Sequence, residues 1–544
     1  MNIFSRIVFV CLFFFLPLAF AGTESWAFFI FHALITFIFC YMLLTIKYFY
    51  FTKISKIIFS IFSILILLGF LQSFNFHNVD DTVSIIPFTF CTFYTFKEIT
   101  AFFTYACVFF IVLQTFQTFK QINKLILVIL CASVVVMVIG LLYQNGEYIK
   151  FFLFDNSRGS FGPFVNRNSA GAFLSLSFFV SFAFLFSNIF KYKKEHKNKQ
   201  EFVLKISIQS VLTFLLLISI IFVRSRGVYL ATLISLFIMF SFISFYIPHH
   251  GKTKIICFIS TVTVFCLSCF LIYINWDAIS AYTHRVSFGF SEAARLQMYS
   301  AAFDMLKKYP VTGVGFASFP VTIKYFLDNP FNQWVSYLHN DWLELLLDIG
   351  YIFGTVIIGL IIYIIYLFIS NTVNLKRVKK CFYLGICGGL LSFCISSGVD
   401  FHFHIPADAF LFFTVLALAS TLSFHKAKIY MVKINIPIKV LLIILSFIFL
   451  CFSFKNAAAW KFMTFADNLT LENKIEYYQK ALKYSSEPRY IRKLIFTYYN
   501  TKFSRTLSGE EKSVYAEQAN VFAEGYLAKY PYDKKISKIY LNTL

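Results

Sequence analysis

Two arginines separated by one serine stand between long apolar stretches, in the segment Arg224-Ser-Arg-Gly227. A charged side chain at a membrane boundary is energetically costly, so its presence there indicates a function. A guanidinium group stays charged and offers a planar fork of donors that fits phosphate oxygens. Arg224 and Arg226 therefore form a candidate phosphate-binding site. The structural alternative is that both side chains extend to the lipid headgroups.

A histidine is expected at the start of a helix, in the segment Tyr337-Leu-His-Asn-Asp-Trp342. Asn340 and Asp341 can both cap that helix. Imidazole gains and loses a proton near neutral pH, so His339 is a candidate general base. Spacing alone does not separate this role from a structural one, which is more common for a single histidine at a helix start.

Three further polar segments accompany these residues. Gly162-Pro-Phe-Val-Asn-Arg-Asn168 precedes an apolar span, and an amphipathic helix pattern over 291–306 carries Arg295. That pattern ends at Pro310 and the turn Gly313-Val-Gly315, which by itself is weak evidence for phosphate binding. The third segment is Asp400-Phe-His-Phe-His-Ile-Pro406. Asp400 is expected either to orient a partner side chain or to cap a helix.

The elements that must position these residues are membrane spans. The 544-residue chain is 59% hydrophobic and only 14% charged, far from the composition of soluble domains. Its apolar runs are long enough to cross a bilayer as helices and do not alternate with period two. We predict an all-α, polytopic membrane bundle of about 12–13 transmembrane helices. It has a large periplasmic loop, 276–341, and a small helical C-terminal region.

The predicted spans are 4–21, 26–44, 54–72, 99–118, 123–143, 169–190, 204–223, 227–247, 255–275, 342–370, 381–397, 406–424 and 439–454. Eleven of the 12 cysteines lie in these spans or at their ends, so neither a disulfide framework nor a zinc site is expected.

The net charge of +22 would suit nucleic acid, but the basic residues lie between the spans. Lysines concentrate in the loops 47–56, 191–205, 376–380 and 426–439, which predicts that these loops and the N-terminus are cytoplasmic. Residues 456–544 are then periplasmic. The first span also resembles a signal peptide, with Arg6, an apolar core and Ala19-Phe-Ala21; its cleavage would not change the downstream topology.

Taken in series, short motifs resemble the O-antigen ligase and polymerase family of bacterial membrane glycosyltransferases. They are Phe164-Val-Asn-Arg-Asn168, Ser225-Arg-Gly227, Arg295 followed by Tyr309–Phe319, His339-Asn340 with Gly350 and Gly354, and Asp400-Phe-His-Phe-His-Ile-Pro-Ala-Asp-Ala409. The resemblance covers roughly residues 1–430 and is densest over 160–410.

The resemblance implies transfer of a glycan from an undecaprenyl-diphosphate carrier to an acceptor hydroxyl, on the periplasmic face of the bacterial inner membrane, without a metal or other cofactor. Arg226 and Arg295 match the family's arginines and would bind the diphosphate, supported by Arg224 and Arg167. His339 matches the family's histidine and would position or deprotonate the acceptor hydroxyl. Asn340 and Asp400 complete the expected site. In this family the first span belongs to the bundle, which favours its retention.

Residues 1–455 are predicted to form the transmembrane domain, and 456–544 a periplasmic tail. Segments 473–488 and 515–525 resemble helical hairpins of the tetratricopeptide type, although three repeats are hard to find. Such a tail would dock a protein acceptor or an assembly partner. The simpler interpretation is a helical cap on the bundle.

Three activities of the family share one chemistry: the acceptor is a lipid A core sugar, another lipid-linked glycan, or a protein. The motifs do not separate ligase, polymerase and protein O-oligosaccharyltransferase, and we predict the ligase or polymerase type. A polysaccharide-lipid transporter or flippase is the alternative from another class. Transporters usually contain internal repeats, and the two halves of this sequence show none.

Overall fold

The structure is a computed structural model that describes residues 3–77, 85–144, 150–151, 154–155, 161–192, 199–246, 251–274, 292–327, 334–373, 375–422, 429–503 and 508–542. Parts of the predicted loops 191–205, 276–341 and 426–439, including Ser291, lie outside these residues. The described chain is almost entirely helical, because its long apolar runs must satisfy their backbone groups internally.

Thirteen helices correspond one to one to the thirteen predicted spans. They are α1 (Ile3–Leu18), α2 (Ser25–Thr45), α3 (Lys53–Phe74), α4 (Thr92–Thr115), α5 (Phe119–Gln144), α6 (Arg167–Tyr192), α7 (Lys199–Phe222), α8 (Arg226–Tyr246), α9 (Gly251–Ile274), α12 (Asp341–Val373), α13 (Arg377–Ser396), α14 (Pro406–Leu422) and α15 (Ile436–Ala466).

Ten helices of the described chain are long and apolar enough to cross a membrane, namely α2–α8, α12, α13 and α15. Shorter apolar helices complete the bundle at α1, at Lys254–Phe270 within α9, and at α14. The prediction of an all-α polytopic membrane bundle is confirmed.

Helix α6 occupies the centre of the bundle and packs closely on α13. A Cβ atom added to Gly385 would lie 2.5 Å from the Cβ of Ala183, and one added to Gly389 would lie 2.9 Å from Leu176. Small residues four apart allow two membrane helices to approach in this way. Ser175 adds hydrogen bonds of 2.8 Å to Thr232 and 2.9 Å to Ser392, so hydroxyl groups join α6 to α8 and α13.

A smaller layer covers one end of the bundle. It contains α10 (Glu292–Lys308) and α11 (Phe319–Phe326), whose apolar side chains form a second core with the start of α12. The turn between α10 and α11 is fitted to a kink in α12. Gly350 at the kink has φ 73° and ψ 177°, and the amides of Val314 and Gly315 donate to the carbonyls of Leu347 and Asp348.

The tail consists of four helices: α16 (Leu471–Leu482), α17 (Pro488–Thr501), α18 (Gly509–Leu527) and α19 (Lys534–Leu541). Each packs on the next, as successive helical hairpins do. The last span does not end near residue 454, because α15 continues unbroken to Ala466.

Four short strands form two small antiparallel pairs. β1 (Phe49–Phe51) pairs with β4 (Tyr430–Val432), so that Phe49 lies opposite Val432. β2 (Lys150–Phe151) pairs with β3 (Phe154–Asp155). The first pair joins the loop after α2 to the segment before α15, and so ties two lysine-rich loops together.

Candidate active site

His339 lies just before α12 with a left-handed backbone, at φ 61°. This conformation costs a non-glycine residue on the order of 1–3 kcal/mol and is found mostly where the surroundings enforce it. Here the Tyr299 hydroxyl donates to the His339 carbonyl at 2.8 Å, and the Leu338 amide donates to Glu344 Oε2 at 2.9 Å. Asn340 Oδ1 accepts from the Leu343 amide at 3.0 Å and caps α12. The imidazole is thereby directed away from the helix and towards Asp400.

Asp400 is the residue on which the site converges, and it is 1% exposed. Its Oδ1 accepts from the Phe401 amide at 2.9 Å and lies 3.2 Å from His339 Nδ1. Its Oδ2 accepts from the Asn168 amide group and lies 4.0 Å from the Arg295 guanidinium. One carboxylate therefore contacts a candidate base on one oxygen and a candidate phosphate ligand on the other.

Charge fixes the protonation of Asp400. Burial by itself raises the pKa of Asp400, but the hydrogen bond and charge of His339, with the charges of His402 and Arg295, hold that pKa well below its ordinary value. Asp400 is therefore a carboxylate, and His339 meets it with the Nδ1–H donor. This tautomer has its basic lone pair on the other ring nitrogen, Nε2, as in the histidine–carboxylate pairs of hydrolases.

Four half-buried arginines lie close to one another, and one of them, Arg295, approaches Oδ2 of Asp400. Arg167 begins α6, Arg226 begins α8, Arg224 lies in the preceding turn with φ 59°, and Arg295 lies on α10. Arg167 experiences the positive charges of all three others. Four like charges at one end of the bundle form a strong site for an anion. These arginines are defined here as the arginine group.

A close backbone approach sets the position of α8 in this group. A Cβ atom added to Gly227 would lie 2.6 Å from the Val399 side chain, so only glycine fits there without displacement. Arg295 Nη1 also donates to the Val399 carbonyl at 3.3 Å. The start of α8, the Val399–Asp400 segment and α10 therefore meet at one place.

Residues 211–358, which include Arg224, Arg226, Arg295 and His339, match the family model described as O-antigen ligase. This match supports an O-antigen ligase family protein. It likewise supports a membrane glycosyltransferase of the O-antigen ligase and polymerase type in general. No curated protein was found to match the chain.

The structure brings most of the expected site residues together. His339, Asp400 and Arg295 are in direct contact, and Arg167, Arg224 and Arg226 lie around them. Asp400 caps no helix, because α14 begins only at Pro406. Asn340 uses its side-chain oxygen to cap α12. The Gly313-Val-Gly315 turn packs against the α12 kink, which agrees with a structural turn.

Sequence reasoning missed three residues that hold the site. Tyr299 follows Arg295 by one helical turn and therefore points to the same side of α10, which could have revealed it. Asn166 and Asn168 belong to a motif that carries Arg167, yet their bonds to Asp400 connect residues more than 200 positions apart. Such contacts depend on tertiary packing.

A second histidine of the site region lies among carboxylates. His404 is 3.4 Å from Glu98, 3.7 Å from Asp341 and 3.8 Å from Glu344, with the Tyr337 ring stacked at 4.6 Å. Burial by itself lowers the pKa of His404, but Glu98 and Glu344 raise it well above its ordinary value. An imidazolium at this point compensates the buried carboxylates behind His339.

Two cavities meet beside these residues. One, of about 450 Å³, is defined here as the His339 cavity; its wall includes His339, Tyr337, Phe401, Trp334 and residues of the tail. The other, of about 480 Å³, is lined mainly by apolar side chains of α3, α8, α12, α13 and α14. Both are bordered by Glu98, Tyr105 and His404.

Proposed function

We propose that the protein transfers an undecaprenyl-diphosphate-linked glycan to an acceptor hydroxyl on the periplasmic face of the inner membrane, as a ligase or polymerase of surface polysaccharide biosynthesis. The observation that carries the proposal is the contact of Asp400 with both His339 and Arg295, beside the remaining arginines. A candidate base and an arginine that can bind the diphosphate are thereby held a few ångströms apart.

In the proposed reaction, the bond between the anomeric carbon and the diphosphate oxygen breaks, and negative charge accumulates on the leaving diphosphate. The arginine group stabilises that charge from pre-formed positions. His339 Nε2 accepts the proton of the acceptor hydroxyl as its oxygen bonds to the anomeric carbon. Asp400 stabilises the resulting imidazolium. Because arginines neutralise the leaving group, the proposed chemistry is metal-independent.

The apolar cavity supports a lipid-linked donor. Its wall consists of aliphatic and aromatic side chains such as Ile58, Leu65, Ile364 and Phe412, with acidic groups at one end. A polyprenyl chain fits such a wall because burying its methylene groups is favourable.

The distribution of lysines supports a periplasmic site. Lys439 Nζ donates to the carbonyl of Ile46 at 3.2 Å, and Lys56 lies 3.5 Å from the centre of the Tyr430 ring. Lys439 thus lies at the C-terminal end of α2, and Lys56 lies at the first residue of β4. Glu24, just before the start of α2, instead borders the His339 cavity. Lysine-rich loops favour the cytoplasmic side, so the His339 end is assigned to the periplasm.

A protein O-oligosaccharyltransferase is the second candidate, because the hairpins of the tail resemble a protein-binding array. A transporter or flippase is less well supported. Transporter sites lie near the bilayer midplane, whereas His339 and the arginines lie at the ends of helices.

The test is a deletion strain complemented with wild type, His339→Ala or no protein, with lipopolysaccharide gels and protein-glycan blots. We expect His339→Ala to abolish transfer while the protein remains in the membrane. Loss of long glycan from lipid A identifies a ligase, single-repeat glycan a polymerase, and loss of protein glycans alone the protein-directed enzyme. Full transfer by His339→Ala would overturn the mechanism. No glycan change on deletion would favour transport.

A further inference from the structure

The tail forms part of the His339 cavity. Trp460, near the end of α15, and Glu487, Arg489 and Tyr490, at the start of α17, all border the space that His339 borders. These four residues are defined here as the tail wall. A tail that only covered the bundle would not need to border the same cavity as the candidate base.

The tail wall is held in place by a buried ion cluster. Asp533 is 3% exposed and lies 2.5 Å from Lys324 Nζ of α11 and 2.9 Å from Arg492 Nε of α17. Lys324 and Arg492 in turn lie 4.4 Å and 5.6 Å from the centre of the Trp334 ring, and Trp334 borders the cavity. The tail and the cavity are therefore one packed unit.

The chemistry of the wall suits a sugar chain. Aromatic rings of Trp334, Tyr337, Phe401, Trp460 and Tyr490 border the cavity together with polar groups. Sugar rings present apolar C–H faces and many hydroxyl groups, and amphipathic aromatic residues match that combination. Charges of both signs, such as Lys97, Arg489, Glu24 and Glu487, provide hydrogen-bond partners without selecting an anion.

The position of the cavity assigns it to the acceptor. His339 contacts Oδ1 of Asp400 and borders the cavity, whereas Arg295 approaches Oδ2. Among the described residues, the wall of the cavity includes His339 but not Arg295. A hydroxyl group in the cavity therefore reaches the imidazole, while a diphosphate at Arg295 lies outside the cavity.

We propose that the His339 cavity binds the acceptor glycan and that the tail wall determines which acceptor is used. This inference rests on the proposed function and names its acceptor subsite. It gives the tail a role in specificity rather than in assembly.

The test uses full-length enzyme in detergent, with labelled lipid-linked glycan extracted from the deletion strain as the donor. The acceptor is either lipopolysaccharide from that strain or unlabelled lipid-linked glycan. The one that gains label with the wild-type enzyme is used for the measurements. Arg489→Ala and Glu487→Gln change the tail wall. Lys493→Ala, on the same helix but paired with Asp467 at 3.2 Å, is the control.

We expect the tail-wall variants to raise the KM for the acceptor about tenfold or more, as loss of a hydrogen bond to a charged group does. The KM for the donor should stay within twofold of wild type, and Lys493→Ala should match wild type throughout. An unchanged acceptor KM, a raised donor KM, or label transfer to protein alone would overturn the inference. Absence of any transfer by wild type would instead refute the proposed function.

Discussion

Asp400 holds together the two side-chain types that the proposed glycan transfer from a lipid diphosphate requires. Its two oxygens contact His339 and Arg295, and its depressed pKa keeps it ionised across the neutral range. A group with a lowered folded-state pKa stabilises the fold above its ordinary pKa of 3.8, and the effect is lost only as acid protonates the carboxylate. Near neutral pH the charge of Asp400 is therefore constant, and it can stabilise the imidazolium that forms when His339 accepts a proton.

Replacing Asp400 with asparagine keeps the shape and removes the charge. We expect Asp400→Asn to lower kcat by about a hundredfold or more, because an uncharged partner neither fixes the tautomer nor stabilises the imidazolium. Transfer assays with purified enzyme measure this. Asp304→Asn is the control and should leave kcat unchanged, because Asp304 forms an exposed pair with Lys307 on α10. Near-normal kcat in Asp400→Asn would show that Asp400 is purely structural.

At the scale of elements, the kink in α12 connects the site to the outer layer. Gly350 combines φ 73° with ψ 177°, a region that only glycine readily adopts, and an added Cβ would lie 2.4 Å from the Val311 carbonyl. Opposite it, a Cβ on Gly313 would lie 2.2 Å from the Leu347 carbonyl. The two glycines therefore fit the turn into the kink, and the kink sets the direction of the first turns of α12, which follow His339.

We expect Gly350→Ala to destabilise the protein by about 1–3 kcal/mol and to reduce glycan transfer, since the strained backbone has no room for a methyl group. Gly359→Ala on the same helix is the matched control, because nothing lies within 4 Å of its added Cβ. That variant should be neutral or slightly stabilising. Thermal unfolding in detergent compares them, and equal melting temperatures would contradict the role of the kink.

The helices were predictable because span length and apolarity follow directly from the bilayer, and each predicted span is a helix. Boundaries were less accurate: α4 begins at Thr92 rather than 99, since Lys97 and Glu98 in its second turn lower the hydropathy there. The grouping of His339, Arg295 and Asp400 was accessible only through the family resemblance. The left-handed backbone of His339 and the His404–Glu98 contact depend on packing between distant segments, which no local pattern encodes.

At the scale of the whole molecule, the buried ion cluster of Asp533, Lys324 and Arg492 joins the tail to the membrane domain. Burial by itself raises the pKa of Asp533, but Lys324 and Arg492 hold it below its ordinary value of 3.8. The carboxylate's contribution is complete above that pH and is lost in stronger acid. Removing the carboxylate leaves the side chain of Lys324, which is 12% exposed, beside the guanidinium of Arg492 with no negative charge between them.

We expect Asp533→Ala to cost about 3–5 kcal/mol of tail docking, the usual consequence of breaking a buried ion pair from one side. The tail should then be cleaved faster than wild type in limited proteolysis of the full-length protein at neutral pH. Glu476→Ala in the tail is the control, because its pair with Lys480 is exposed and is worth at most about 1 kcal/mol. Equal cleavage rates would contradict the anchoring role.

Helix α15 is a continuous rod of 31 residues from Ile436 to Ala466, with a length of about 46 Å. It crosses the bundle and carries Trp460 of the tail wall at its far end. A membrane helix adjusts its tilt when the hydrocarbon thickness changes. We therefore expect the thickness of the surrounding bilayer to shift one wall of the His339 cavity, and the proposed acceptor use to depend on the lipids in which the protein is embedded.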